Sequence, residues 1–218
     1  MRVLIGSVAM LAAVVAQTDR PVGQPTLREE ARGRVERAAA EAKGRAQQAV
    51  DDLNADVQRW AAAREPGPAH EVLKALEGEW TGAMTVFPGP GAEPLTSTGA
   101  MSSRFELGGR WLRSRWTGEA MGEAMEGVAY FGHDNARGVY LGTWIDTFTT
   151  GMLRSEGTYD EPTRTFTMRG TMPTPDGPVP IRQTTVIESP DRHRFELFAI
   201  GPDGAETLMT RVVYTRRK

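Results

Sequence analysis

A chain of 218 residues has room for one domain with an appendage, and 26 Lys and Arg against 28 Asp and Glu leave a formal charge of −2. That balance excludes a protein built to gather polyanions, because no global field draws in nucleic acid or anionic lipid. Without a single cysteine there is no disulfide, no thiolate metal site, no cysteine nucleophile and no lipidated cysteine, so stability must come from a buried core.

The first element in chain order has the form of an export signal. Arg2 supplies a positive start, and the uncharged run Val3 to Ala16 ends in the small residues Val14-Val15-Ala16 before Gln17. At well under ~20 apolar residues the run is short for a bilayer span. The expectation is a cleaved signal over 1–16 and a periplasmic or secreted bacterial protein with no stable membrane span; an uncleaved anchor is the rival.

A polar linker over 17–25 leads to Thr26, which with Glu29 at the third helical position makes a capping box. Leu27, Ala31, Val35, Ala39, Ala42, Ala46, Ala49, Leu53, Val57 and Trp60 recur at threes and fours, which predicts one amphipathic helix over 26–65 that Pro66 must end. Its stripe is mostly alanine, weakened by Gly33 and Gly44. A solvated helical spacer is the plain reading, with oligomerisation through the helix or docking onto the rest of the chain as alternatives.

Beyond Pro66-Gly67-Pro68 the pattern changes. A short helix is predicted over 70–76, followed by ten strands at 79–87, 99–107, 110–118, 124–132, 139–147, 150–159, 165–172, 179–188, 193–200 and 206–216. The connections Gly108-Gly109, His133-Asp134-Asn135, Asp160-Glu161-Pro162, Pro175-Asp176-Gly177, Ser189-Pro190-Asp191 and Pro202-Asp203-Gly204 are turn chemistry. Sequential hairpins without helical crossovers predict an all-β, up-and-down antiparallel barrel over 70–218, closed because an open sheet would leave two bare edges. Ten strands make a barrel wider than one that side chains just fill, so a ligand-sized lumen is expected.

From Glu71 onward the chain carries Leu73, Leu76-Glu77-Gly78-Glu79-Trp80, Leu107-Gly108-Gly109-Arg110, Gly118, Gly122 and Glu126-Gly127. There follow Gly132 with Asp134-Asn135, Thr143-Trp144-Ile145-Asp146, Ser155-Glu156-Gly157-Thr158-Tyr159-Asp160, Gly201-Pro202-Asp203-Gly204 and Tyr214-Thr215-Arg216. In this order the motifs resemble the bacterial family known as domain of unknown function 1579, whose members are similar in shape to lipocalins and other calycins. The resemblance implies a fold and no activity. His133 and Met125 stand where the family more usually has tyrosine and phenylalanine, and the long helix lies outside the resemblance.

Gly78-Glu79-Trp80 opens the first strand as the glycine and tryptophan of lipocalins do. In a closed barrel the last strand is its neighbour, so Trp80 is expected to pack under Arg216 at a floor plugged by Leu73 and Leu76. Strand alternation puts Tyr140, Trp144, Asp146 and Phe148 on one face and Val139, Leu141 and Ile145 on the other. The Trp144 face is taken as the lumen, which makes Trp144, Asp146, Tyr140, Met125, Glu156 and Arg110 candidate ligand-binding residues. The competing reading has Asp146 capping a strand end or pairing with an arginine such as Arg110.

Glu126, Asp146, Glu156 and Glu196 invite an acid–base reading, but nothing in the sequence brings two of them together, and no Ser or Thr has a nucleophile signature. No catalytic residue is assigned, and enzyme activity is left as a third reading behind a binding protein and a structural or interaction protein. Of the histidines, His133 in a turn and His193 at a strand start are expected in solvent, and none of the three has metal spacing. Met121 and Met125 lack the third soft ligand that copper(I) would need. Met84, Met125, Met152, Met168 and Met209 fall on predicted strands and either fill the core or line an adaptable cavity. The sequence implies no cofactor and no metal; the partner expected is a small apolar ligand.

Overall fold

The structure, a computed structural model, describes residues 23, 25–89 and 91–218. The segment read as an export signal and nearly all of the linker after it lie outside the described residues. The chain divides into two compact units between Ala61 and Ala62.

Helix α1 runs Leu27–Arg64. The Glu29 carboxylate accepts from the Thr26 backbone N–H at 2.7 Å and the Thr26 hydroxyl at 2.8 Å, while the Glu29 N–H donates back to Thr26 Oγ1 at 3.3 Å. This reciprocal cap satisfies donors that the first turn leaves unpaired. The helix stops two residues before Pro66, whose ring cannot follow in a helix interior. None of its residues is buried.

The second unit opens with helix α2, Pro68–Leu73, where the Gly67 N–H donates to His70 Nδ1 at 3.2 Å, and a 3-10 turn at Lys74–Leu76. Ten strands follow: β1 Gly78–Val86, β2 Leu95–Glu106, β3 Trp111–Ala120, β4 Glu123–Asp134, β5 Val139–Asp146, β6 Leu153–Asp160, β7 Thr165–Met172, β8 Val179–Ser189, β9 Arg192–Ile200 and β10 Glu206–Arg216. Each pairs antiparallel with its sequence neighbours and β1 pairs with β10, closing the barrel. Closure leaves no bare edge.

The register fixes which side chains face inward, since directly opposite residues share a face. Trp80 lies opposite Arg216 and Met101, Gly82 opposite Tyr214 and Gly99, and Met84 opposite Val212. On β3, inward Leu112, Ser114, Trp116, Gly118 and Ala120 alternate with outward Arg113, Arg115, Thr117 and Glu119.

Two strands start more than one residue away from the sequence expectation. β2 begins at Leu95 rather than 99, because Leu95–Thr98 pair with the end of β1. β6 begins at Leu153 rather than 150, because the Asp146 carboxylate turns the chain after β5 and leaves 147–152 as a loop. The core is two clusters. One gathers Leu73, Leu76, Leu112, Tyr140, Phe166, Met168 and Ile187 beneath α2; the other holds Trp80, Met84, Trp116, Ala120, Val212 and Tyr214.

Candidate functional site

The barrel has unlike ends. At the α2 end, Trp80 is fully buried, its indole N–H donates to Leu76 O at 3.1 Å, and the Arg216 guanidinium sits 4.1 Å from its ring centroid. Arg216 also donates to Glu77 O at 2.8 Å, Ala75 O at 3.4 Å and Pro190 O at 3.0 Å, and lies 3.3 Å from Asp191. One side chain therefore ties the 3-10 turn, the β8–β9 turn and the floor together. A Cβ at Gly78, where φ is +132°, would stand 2.3 Å from Arg216 Nη1, so glycine is required for both conformation and room.

His193 belongs to this floor, contrary to its expected place in solvent. It is 5 % exposed, stacked on Tyr214 at 4.5 Å and edge-on to Trp80 at 4.4 Å. Burial, and then the charge of Arg216, push its pKa down to about 3, so the imidazole is neutral in the native protein. Its Nδ1 has no hydrogen-bond partner among the described residues. The position at a strand start misled because closure brings β1 and β10 over it.

The rest of this end is also occupied by protein. Tyr140, whose hydroxyl donates to Ala69 O at 3.0 Å, packs 4.9 Å from Phe166 and 4.8 Å from His133. Burial raises its phenol pKa. Two shallow clefts of about 290 and 400 Å³ flank α2 on the outside; His70, His133 and Arg110 line the first, Val72, Tyr159 and Arg216 the second. In the first, His133 Nδ1 meets Asn135 Oδ1 at 2.8 Å and Asn135 Nδ2 donates to the carbonyls of Ala63 and Glu65. The Asn135 amide is thereby oriented, with its oxygen turned towards His133 Nδ1.

At the other end the lumen wall is made by tryptophans lying on glycines. A Cβ at Gly99 or Gly82 would come within 2.3 or 2.4 Å of the Trp116 ring, and one at Gly127 within 2.2 Å of Trp144. The missing side chains let both rings lie against the wall instead of crossing the lumen. Trp116 is 1 % exposed, and its indole N–H has no acceptor among the described residues. Pairs of inward polar groups, Ser103 with Ser114 at 2.8 Å and Ser155 with Gln183 at 2.9 Å, satisfy each other. Leu95, Met121, Phe148 and Met152 are exposed in the rim at this end.

Of the six candidate lumen residues the structure brings only some together. Trp144, Asp146, Tyr140 and Met125 face inward, with Tyr140 at the α2 end and the others towards the opposite one. Asp146 is engaged by the protein: Oδ2 accepts the Trp144 indole N–H at 2.6 Å, and Oδ1 accepts the backbone N–H groups of Phe148 and Thr149 at 2.9 and 3.2 Å. It therefore orients Trp144 and caps the strand end.

Two of the six are corrected. Glu156 lies on the outer face and pairs with Arg137 at 2.7 Å, because β6 parity turns Ser155 and Gly157 inward. Arg110 lies outside the plugged end, where it donates to Arg64 O at 2.9 Å and to Glu65 at 3.1 Å. Glu126 and Glu196 also point outward, at 2.6 Å from Arg115 and 2.8 Å from Arg211, so the four strand carboxylates form no acid–base pair. Met152 stands in the rim loop rather than on a strand. No group of three His, Asp or Glu among the described residues is placed to hold a metal ion.

Sequence reasoning missed Trp116 and its glycine bed. The alternation of charged and apolar residues along 112–120 does mark Trp116 as inward, but Gly82 and Gly99 become its bed only through the register of three strands.

Comparison with known proteins places the fold. The crystal structure of Rv2717c from M. tuberculosis superposes with a TM-score of 0.54 at 15% identity, over 71% of this chain and 100% of that one. The S-type phycobiliprotein lyase CPES from Guillardia theta superposes with a TM-score of 0.48 at 13% identity, over 68% of this chain and 92% of that one. No curated protein matches. Among sequence families, that described as "Protein of unknown function (DUF1579)" matches residues 65–216, which is the whole barrel with the turn leading into it, and the chain belongs to that family.

Proposed function

We propose that the barrel binds a small apolar or amphipathic molecule in its lumen, entering at the end away from α2. One observation carries the reading. Met101, Ala129, Trp144, Gln183, Phe195 and Leu197 face inward along the strands and are nevertheless only partly buried, whereas inward Trp80, Phe166 and Ile181 have no exposure. An inward side chain in a closed wall keeps accessible surface only by facing space inside the barrel. The mixture suits an apolar ligand carrying a polar group: mostly hydrocarbon and indole, with the half-buried Gln183 amide among them. The apolar rim would lower the cost of passing such a molecule from water into the barrel.

The test is a titration with N-phenyl-1-naphthylamine, an uncharged fluorescent probe. The parent protein should bind it with energy transfer from tryptophan. Ala129→Phe, which adds a ring inside the wall, should weaken binding by about tenfold or more, while Thr167→Phe on the outer face should not. A parent protein that does not bind, or an Ala129→Phe variant that binds equally well, overturns the reading in favour of a barrel filled by its own side chains. On the same reading the protein works outside the cytoplasm, supported by the export-like run Val3 to Ala16. Sequencing the N-terminus of protein taken from its host checks this, with Gln17 as the expected first residue.

A further inference from the structure

Helix α1 carries an exposed apolar stripe. Val35, Val50, Leu53, Val57 and Trp60 are 50% to 77% exposed, and at ~100° per residue they share one face with Ala39, Ala42, Ala46 and Ala49. The stripe is asymmetric. Apart from Leu27 and Val35 near its start, its first half is alanine, and its second half carries the large side chains. Counted outward from a centre between Ala49 and Val50, each of the four large residues of the second half mirrors an alanine: Val50 with Ala49, Leu53 with Ala46, Val57 with Ala42, Trp60 with Ala39.

We propose that this stripe is an interface for a second copy of the chain. The two helices lie antiparallel, so that Val50, Leu53, Val57 and Trp60 of each rest on the alanines of the other. Antiparallel pairing turns the asymmetry into complementarity, since a large residue meets a small one at each of these four levels. Parallel pairing would set Trp60 against Trp60 and leave the alanine half hollow.

The charges agree. Glu41, Arg45, Asp52, Asp56 and Arg59 lie along one flank of the stripe. In the antiparallel register Arg45 of one copy falls between Asp52 and Asp56 of the other, and Glu41 falls opposite Arg59. Arg59 already pairs with Asp56 within its own helix, so along the joined flanks every arginine stands next to carboxylates. In a parallel pair this flank would instead meet the partner's opposite flank, which carries Lys43, Gln47 and Asn54, and the match would be lost.

The absence of native cysteine lets single cysteines in the full chain report the geometry. Under mild oxidation Ala49→Cys should cross-link to itself. Val57→Cys should not, because the two copies of residue 57 stand about 22 Å apart along the axis at ~1.5 Å per residue; mixed with Ala42→Cys it should give the heterodimer. In sedimentation, Leu53→Asp should raise the dimer dissociation constant by about tenfold or more without loss of helix by circular dichroism, as an exposed position allows. Arg45→Asp should weaken the dimer, and adding Asp52→Arg with Asp56→Arg should restore it. A chain that stays monomeric up to millimolar concentration overturns the proposal. Self cross-linking of Val57→Cys as fast as that of Ala49→Cys also overturns it, by showing a parallel pair.

Discussion

The two ends of the barrel use the same materials, aromatic rings and glycines, to opposite purpose. At the plugged end glycine admits an arginine: Gly78 leaves room for Arg216 to cover Trp80 and to collect the carbonyls of Ala75, Glu77 and Pro190. At the opposite end glycine admits tryptophan, and Gly82, Gly99 and Gly127 let Trp116 and Trp144 lie along the wall. The first arrangement seals a floor and the second lets rings lie flat against neighbouring strands. The contrast teaches that burial and hydrogen-bond satisfaction are separate matters: both Trp80 and Trp116 are buried, yet the Trp80 N–H has Leu76 O, whereas the Trp116 N–H has no acceptor among the described residues.

If the plugged end is the stability centre, its loss should be the costliest. Trp80→Ala should remove about 3 to 5 kcal/mol, the usual cost of an aromatic taken from a core, read by denaturant unfolding. A variant within about 1 kcal/mol of the parent would show that the floor is not where the barrel is held.

The next effect is a pH dependence on the scale of a few kcal/mol, set by His193. Unfolded, this imidazole titrates near 6.5, and folded near 3. Above the first value neither state binds the proton and stability is complete. As pH falls from 6.5 towards 3, the unfolded chain takes up a proton that the native floor refuses, so stability is lost through that window. Unfolding curves across this range should show the slope, and His193→Gln should flatten it; an unchanged slope would remove His193 from the floor's energetics.

At the end away from α2, Gly99→Ala should cost about 1 to 3 kcal/mol, the range for overpacking, because its Cβ would fall 2.3 Å from Trp116. The same variant should change the near-ultraviolet circular dichroism by tilting the indole. A silent substitution would mean that Trp116 does not lie against β2 in solution, and the contrast between the ends would lose its second half.

The smallest change is expected from Asp146→Asn, at about 1 kcal/mol for weakened charge-assisted bonds. It should shift the tryptophan emission through Trp144 and alter probe binding little. A large loss of binding would restore Asp146 as a direct ligand contact.

Legibility followed the range of the interactions involved. The capping box at Thr26 and Glu29 and the stop before Pro66 are local, and both could be read. Turn chemistry every ten residues or so announced the strands and, through the cost of bare edges, their closure. Where parity was followed along one strand it held, as for Tyr140, Trp144 and Asp146 on β5. Assigning Glu156 to the same lumen required parity to pass through the loop 147–152, and there it failed, because the Asp146 cap delays β6. Arg110 was misplaced for a related reason: its partners are carbonyls of Arg64 and Leu107, and backbone acceptors leave no trace in a residue pattern.

The sequence by itself determined the elements, their order and the closed antiparallel barrel, because periodicity, caps and turns act over a few residues and each strand's neighbour is the next in the chain. Only the tertiary structure decided that His193 is a neutral floor residue, that Gly82 and Gly99 are the bed of Trp116, and which carboxylates face the wall's outside. Those outcomes depend on the register between strands distant in sequence, above all β1 against β10. A shift of one residue there would turn every side chain to the other face.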